Sequence, residues 1–178
     1  VAILTDSRDY NGFAQKIERL GLTQLLVEAV STLDAPLYVL EEREANGTKG
    51  LRQSIDNAFG GIDGWKPVKS GGIDWTKTEP QGGTLGVEVQ VSGRSDMLAV
   101  DVLHLKNKLR AGEIDAGLII VPDDALSRYL TDRTPNFATA IKHVSENAND
   151  LPIRVQAFHH NGPGPALPKM RTNLGRDR

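Results

Sequence analysis

The stretch Ile73-Asp74-Trp75-Thr76-Lys77-Thr78-Glu79-Pro80-Gln81-Gly82-Gly83-Thr84-Leu85-Gly86-Val87-Glu88-Val89-Gln90-Val91 decides how the chain is read. Residues 73–78 alternate as a strand does, Pro80-Gln81-Gly82-Gly83 is turn chemistry, and 85–91 alternate again, which predicts a hairpin. On its second strand Leu85, Val87, Val89 and Val91 share one face and Gly86, Glu88 and Gln90 the other. The valines set this strand against a core, so its polar side meets another layer or a cleft. Pairing brings the carboxylates of Asp74 and Glu88, separated by thirteen residues, onto neighbouring strands, with Gln90 farther along the face of Glu88. That is a cation site in outline, because a hard divalent ion such as Mg²⁺ takes one or two carboxylates plus waters and phosphate oxygens. By spacing alone, two acids on a hairpin are more often solvated surface residues than cation ligands.

Outward from the hairpin the period lengthens. A helix capped near Ser95 and Asp96 carries Leu98, Val102, Leu105 and Leu109 and stops at Gly112. The unbroken run Leu118-Ile119-Ile120-Val121 reads as a strand covered on both faces. A helix around Pro135 to Val144 and a strand from Ile153 to Phe158 follow. Upstream, Leu51, Ile55 and Phe59 recur every four residues in a helix over Lys49 to Phe59 that ends at Gly60-Gly61. Asp9 is placed to cap a helix carrying Phe13, Ile17 and Leu20, Thr23 opens another through Leu26 and Val30, and Leu37 to Glu44 reads as a helix or short strand. The order from residue 50 is α-β-β-α-β-α-β, an α/β chain with a mixed β-sheet flanked by helices. The expected organisation is one domain over 1–160, with a helical part over 1–60 and an α/β core over 61–160, then a basic tail over 161–178 without regular structure.

Composition narrows the chemistry. With 178 residues and no cysteine, disulfides, thiolate metal sites and cysteine nucleophiles are excluded. No apolar run suggests a membrane span and no signal peptide is visible, so a soluble, cytoplasmic protein is expected. The net formal charge of −2 conceals a division: residues 1–150 hold 16 Lys and Arg against 22 Asp and Glu, and residues 151–178 hold 5 against 1. Acids gathered around a metal lower the sum without opposing a nucleic-acid partner.

The spacing Asp74, thirteen residues, Glu88-Val89-Gln90 resembles the PD-(D/E)XK nuclease motif, an Asp and an acid-X-Lys tripeptide on adjacent strands. Ser54 to Phe59, Gly64-Trp65-Lys66, Ile73-Asp74, Glu88 to Val91, Asp101, Gly117 to Val121 and Arg133 to Asn136 are similar to type II restriction endonucleases of the BglII and BstYI kind, a likeness over residues 48–145. It implies a restriction-endonuclease-like core in a prokaryotic homodimer that uses Mg²⁺, or Mn²⁺ in its place, to hydrolyse double-stranded DNA to 5′-phosphate ends. A second subunit is a further possibility at this length. The same resemblance makes Asp74 and Glu88 the metal ligands, adds the Val89 carbonyl, gives Gln90 the attacking water, and puts Asn57 in support from the preceding helix. It places Ser92 and Arg94 at the DNA. Two alternatives stand beside it: a PD-(D/E)XK nuclease for repair or recombination, and a non-catalytic DNA-binding protein of the same fold, for which Gln90 argues because it departs from the usual Lys and removes a positive charge.

Other residues read as structural. Lys77 alternates away from Asp74, Trp65 and Trp75 belong to the core, His104 borders the leucine stripe, His159-His160 is a surface pair, and Asp123-Asp124 opens a helix at its positive end.

Overall fold

The computed structural model describes residues 2–68, 72–92 and 95–169. In chain order its elements are β1 (Ile3–Asp9), α1 (Phe13–Arg19), α2 (Thr23–Ser31), β2 (Tyr38–Val39), α3 (Lys49–Gly61), β3 (Lys66–Pro67), β4 (Trp75–Thr78), β5 (Thr84–Val89), α4 (Met97–Arg110), β6 (Ala116–Pro122), α5 (Asp124–Tyr129), α6 (Phe137–Asn147), β7 (Ile153–His159) and β8 (Gly162–Pro163). Six strands form one sheet in the order β1-β7-β6-β5-β4-β3, and β2 and β8 pair separately. The large sheet is mixed. β5, β6 and β7 run parallel, β3, β4 and β5 antiparallel, and β1 antiparallel to β7.

The hairpin forms as its alternation predicts. Trp75 pairs with Val87 and Thr78 with Thr84. Between them the Glu79 N–H donates to the Gly83 carbonyl at 2.7 Å, and Gly82 takes φ +106°, a conformation L side chains avoid. β6 is buried along its whole length, and its alternation divides the core. Leu118 and Ile120 face one layer with Leu85, Val87 and Val89 of β5, under Phe13, Ile17, Leu25, Ile55 and Phe59 of α1, α2 and α3. Ile119 and Val121 face the other with Val155, under Leu98, Val102 and Leu105 of α4 and Val144 of α6. Glu88 pairs with Ile119, and so points toward α4.

Phe59 joins α3 to the hairpin. Its ring stacks on Trp75 with centroids 5.2 Å apart and meets Trp65 edge-on at 5.0 Å. Both tryptophans are core residues, as the sequence suggests. Truncating a fully buried phenylalanine removes its transfer energy and leaves a cavity, so Phe59→Ala is expected to cost about 3–5 kcal/mol in urea unfolding. A loss below about 1 kcal/mol would show that α3 is not held to β4 in this way.

Four expectations are corrected. The part over 1–60 is not wholly helical: it begins with β1, an edge strand of the main sheet, and Asp9 ends that strand. All seven β1 residues are exposed, so no burial period announces them. Their register comes from the backbone ladder and from the Arg154 guanidinium, which donates to both oxygens of Asp9 at 2.6 and 2.8 Å. The cap of α1 is instead Gly12. The segment after 160 is partly ordered: β8 pairs with β2, Gly164 donates to the Val39 carbonyl at 2.7 Å, and Leu167 packs on the core. Residues 170–178 of the proposed tail lie outside the described residues. Finally, His160 is buried, with its ring edge on Tyr129 and its Nδ1 accepting from the Gly162 N–H at 3.0 Å. Only His159 keeps partial exposure, beside Asp123 at 3.0 Å. Asp123 caps α5 by accepting from the Leu126 N–H. Among the described residues no helix is long and apolar enough to cross a membrane.

Candidate metal centre on the hairpin

At its open end the hairpin gathers charge. Asp74, one residue before β4, stays in the ladder through its N–H to the Val87 carbonyl at 3.1 Å. Its side-chain Oδ2 accepts from the Val89 N–H at 2.8 Å, capping a β5 amide with a carboxylate. Glu88, on the α4 side of the sheet, is 1% exposed, and its Oε1 has no hydrogen-bond partner. Its carboxyl lies beside that of Asp74 on the neighbouring strand, close enough for the Asp74 charge to oppose its ionisation. Gln90, also buried, donates from Nε2 to Asp101 Oδ2 across to α4. Asp101 and His104 lie one helical turn apart, and a ligand atom from each falls within 4.8 Å of one from Glu88.

From the opposite layer α3 sends a cation. Arg52 donates from Nη2 to Asp74 Oδ1 and from Nη1 to the Val89 carbonyl, both at 2.7 Å, and from Nε to Asp56 Oδ2 at 2.8 Å. Asp56 in turn accepts from Trp75 Nε1 at 3.1 Å, which fixes the turn of α3 that carries Arg52. The guanidinium thus fills the angle between the Asp74 carboxylate and the Val89 carbonyl.

Electrostatics follow from this crowding. Burial, and then the charges of Asp74 and Asp101, push the Glu88 carboxyl up to about 11. Burial and Asp74 raise Asp101 to about 6, against the pull of His104 and Arg52. The folded, metal-free protein therefore holds a proton on Glu88 that the unfolded chain releases above its ordinary value of 4.5. Stability from this group is complete below that value and is lost as pH rises toward 11, with a limiting slope of about 1.4 kcal/mol per pH unit. Urea unfolding of metal-free protein at pH 6, 7 and 8 is expected to show this decline. A profile rising over that range would contradict the protonated state.

A divalent cation fits these residues. The buried oxygen without a partner, the two raised carboxyls and the guanidinium held between Asp74 and Val89 all mark a place that positive charge stabilises. Asp74, Glu88 and Gln90 are brought together, and the Val89 carbonyl lies on the same rim. Asn57 is not: it is exposed on α3, and no hydrogen bond joins it to Asp74, Glu88 or Gln90 among the described residues. Ser92 is half-buried just beyond β5, and Arg94 lies outside the described residues. Lys77 is held elsewhere, donating to Glu28 Oε2 and the Asp63 carbonyl at 2.7 Å each. Sequence reasoning missed Arg52, whose only local signal is the four-residue spacing to Asp56, and passed over His104 as a boundary residue.

No family model and no curated protein matches the sequence. Solved structures match its fold. The chain is similar to the crystal structure of restriction endonuclease BglII complexed with a DNA 16-mer, at 19% identity and a TM-score of 0.59, over 88% of this chain and 78% of that one. It is also similar to free BglII, at 17% identity and a TM-score of 0.54, over 94% and 81%. The fold is therefore restriction-endonuclease-like, a mixed sheet flanked by helices.

Proposed function

We propose that the chain is a divalent-cation-dependent endonuclease that hydrolyses phosphodiester bonds of double-stranded DNA at defined sequences, in the manner of type II restriction endonucleases, and leaves 5′-phosphate ends. One observation carries this reading: a buried glutamate with an unsatisfied oxygen lies beside Asp74 and close to Asp101 and His104 at the open end of a hairpin, in the fold of BglII. Asp74 and Glu88, with the Val89 carbonyl, hold Mg²⁺ or Mn²⁺, which when bound supplies Lewis acidity at phosphate and lowers the pKa of a water. Gln90 orients that water through its amide while Asp101 holds the amide in place. With a cation held there, Arg52 would be free to leave Asp74 and Val89 for the scissile phosphate while keeping its bond to Asp56. Ser92 and Arg94 approach base edges, where an arginine reads guanine by paired hydrogen bonds.

Because one such site cuts one strand, the working unit is a homodimer matched to a palindromic duplex, or a pair with a second subunit. A prokaryotic cytoplasm is the compartment this activity implies. The test is digestion of a long DNA of mixed sequence with Mg²⁺. A reproducible set of discrete fragments, ligatable at their 5′-phosphates, is expected. A smear, or cuts confined to branched DNA, would instead indicate a repair or recombination nuclease.

A second reading, a non-catalytic DNA-binding protein, is favoured by the Arg52 guanidinium on Asp74 and by a neutral Gln90 tied to Asp101. Under it, DNA is bound but no cation enters and none is needed.

A further inference from the structure

The cluster that Glu88 makes with α4 differs in chemistry from the rim that Asp74 makes with Val89. It contains an imidazole, which the Asp74–Val89 rim lacks, and Arg52 makes its bonds to Asp74, Val89 and Asp56. Asp101 and His104 belong to one face of α4, the i, i+3 spacing that brings two side chains together over a turn. Glu88 comes up to them from β5. One ligand atom from each of the three lies within 4.8 Å of the others. Two further contacts hold the arrangement: Gln90 donates to Asp101 Oδ2, and His104 Nδ1 sits 3.0 Å from the Gly72 carbonyl. Gly72 itself, at φ +103°, passes so near that a Cβ there would meet the imidazole at 2.1 Å, so its backbone lies directly against the ring. The feature that points to a ligand is Glu88 Oε1, buried and without a partner in a residue 1% exposed. A buried carboxylate oxygen left unpaired is costly, and a cation is the group that removes the cost for a carboxylate facing another carboxylate.

We propose that Glu88, Asp101 and His104 form a cation site of their own on the α4 side of β5, with two carboxylate oxygens and one imidazole nitrogen as protein ligands. This inference builds on the proposed hydrolytic site, with which it shares Glu88, and extends it to residues that the hairpin motif does not contain. A nitrogen in the ligand set suits first-row transition cations such as Mn²⁺, Co²⁺ or Zn²⁺ better than Mg²⁺ or Ca²⁺, which prefer oxygen throughout. Glu88, common to both sets of residues, would serve as ligand to a cation at either.

The experiment is titration of aqueous Mn²⁺ into the metal-free full chain. Loss of the free-ion paramagnetic signal counts bound ions, and pulsed electron spin echo on the bound fraction detects a directly coordinated imidazole nitrogen. Bound Mn²⁺ with nitrogen modulation is expected. His104→Gln should abolish the modulation and weaken binding by at least about tenfold, the least that disturbing even an outer partner costs. Asp101→Asn, nearly isosteric, should weaken it comparably, while circular dichroism confirms that both variants fold. Bound Mn²⁺ without nitrogen modulation, at an affinity unchanged in His104→Gln, would overturn the inference and leave the nuclease reading intact. Modulation in a protein that cuts no DNA would support the inference while the nuclease reading fails. No binding at all would overturn the inference outright.

Discussion

Asp74→Ala is expected to slow phosphodiester cleavage by on the order of 10³-fold or more, since the site then loses a cation ligand whose effect is felt in the transition state. The change also has a structural cost. Asp74 accepts from Arg52 and caps the Val89 N–H, and leaving two partly buried donors unpaired costs about 1–3 kcal/mol. Asp74→Asn separates the two effects. It keeps an acceptor for one donor and the side-chain shape, yet removes the charge, so it should retain most of the stability and almost none of the cleavage. Single-turnover rates with enzyme in excess, set beside thermal unfolding of both variants, make the comparison. Cleavage by Asp74→Asn at the wild-type rate would show that this carboxylate holds no cation.

Glu88→Gln should separate activity from stability in the other direction. In the metal-free protein Glu88 is already neutral, pushed up to about 11 by burial and by its acidic neighbours. A glutamine of nearly the same shape, and likewise neutral, replaces that protonated acid. Stability at neutral pH is therefore expected to stay the same or rise, and its decline with increasing pH to flatten, because the group that bound the extra proton is gone. Cleavage should fall by on the order of 10³-fold, as glutamine offers no negative charge to a cation. Cation binding to the wild type at pH 7 should release about one proton, the one Glu88 gives up on becoming a ligand. Glu88→Gln should release none from this position. Calorimetry in two buffers of different ionisation heat reads that number. Equal proton release by the two proteins would place the cation elsewhere.

What the sequence makes legible here follows from the range of the forces involved. The hairpin is written in nearest-neighbour terms, alternation on either side of a Pro-Gln-Gly-Gly turn, and its register then follows from geometry, so the meeting of Asp74 with Glu88 needs no knowledge of the rest of the fold. The covered strand at Leu118 to Val121 and the α4 stripe are legible for the same reason. β1 is not, because an edge strand with every side chain exposed carries no burial period, and only the ladder with β7 defines it. Arg52 and His104 are hidden differently. Each is an ordinary polar position on an amphipathic helix, and which turn of that helix faces the hairpin depends on how Phe59 seats α3 on Trp75 and how closely α4 lies over β5. Those packing angles are set by the assembled core. Gln90 was legible as a residue but not in its engagement, since its partner Asp101 comes from the next helix.

The central claim is that the carboxylates at the open end of the β4–β5 hairpin hydrolyse DNA when a divalent cation joins them. Conversion of supercoiled plasmid by purified protein tests it most directly, with Mg²⁺ or Mn²⁺ in one arm and a chelator in the other, and with Asp74→Ala alongside. The account predicts nicked and then linear plasmid only with wild-type protein and cation. Intact supercoiled plasmid in every arm, for DNA that the protein demonstrably binds, would contradict it.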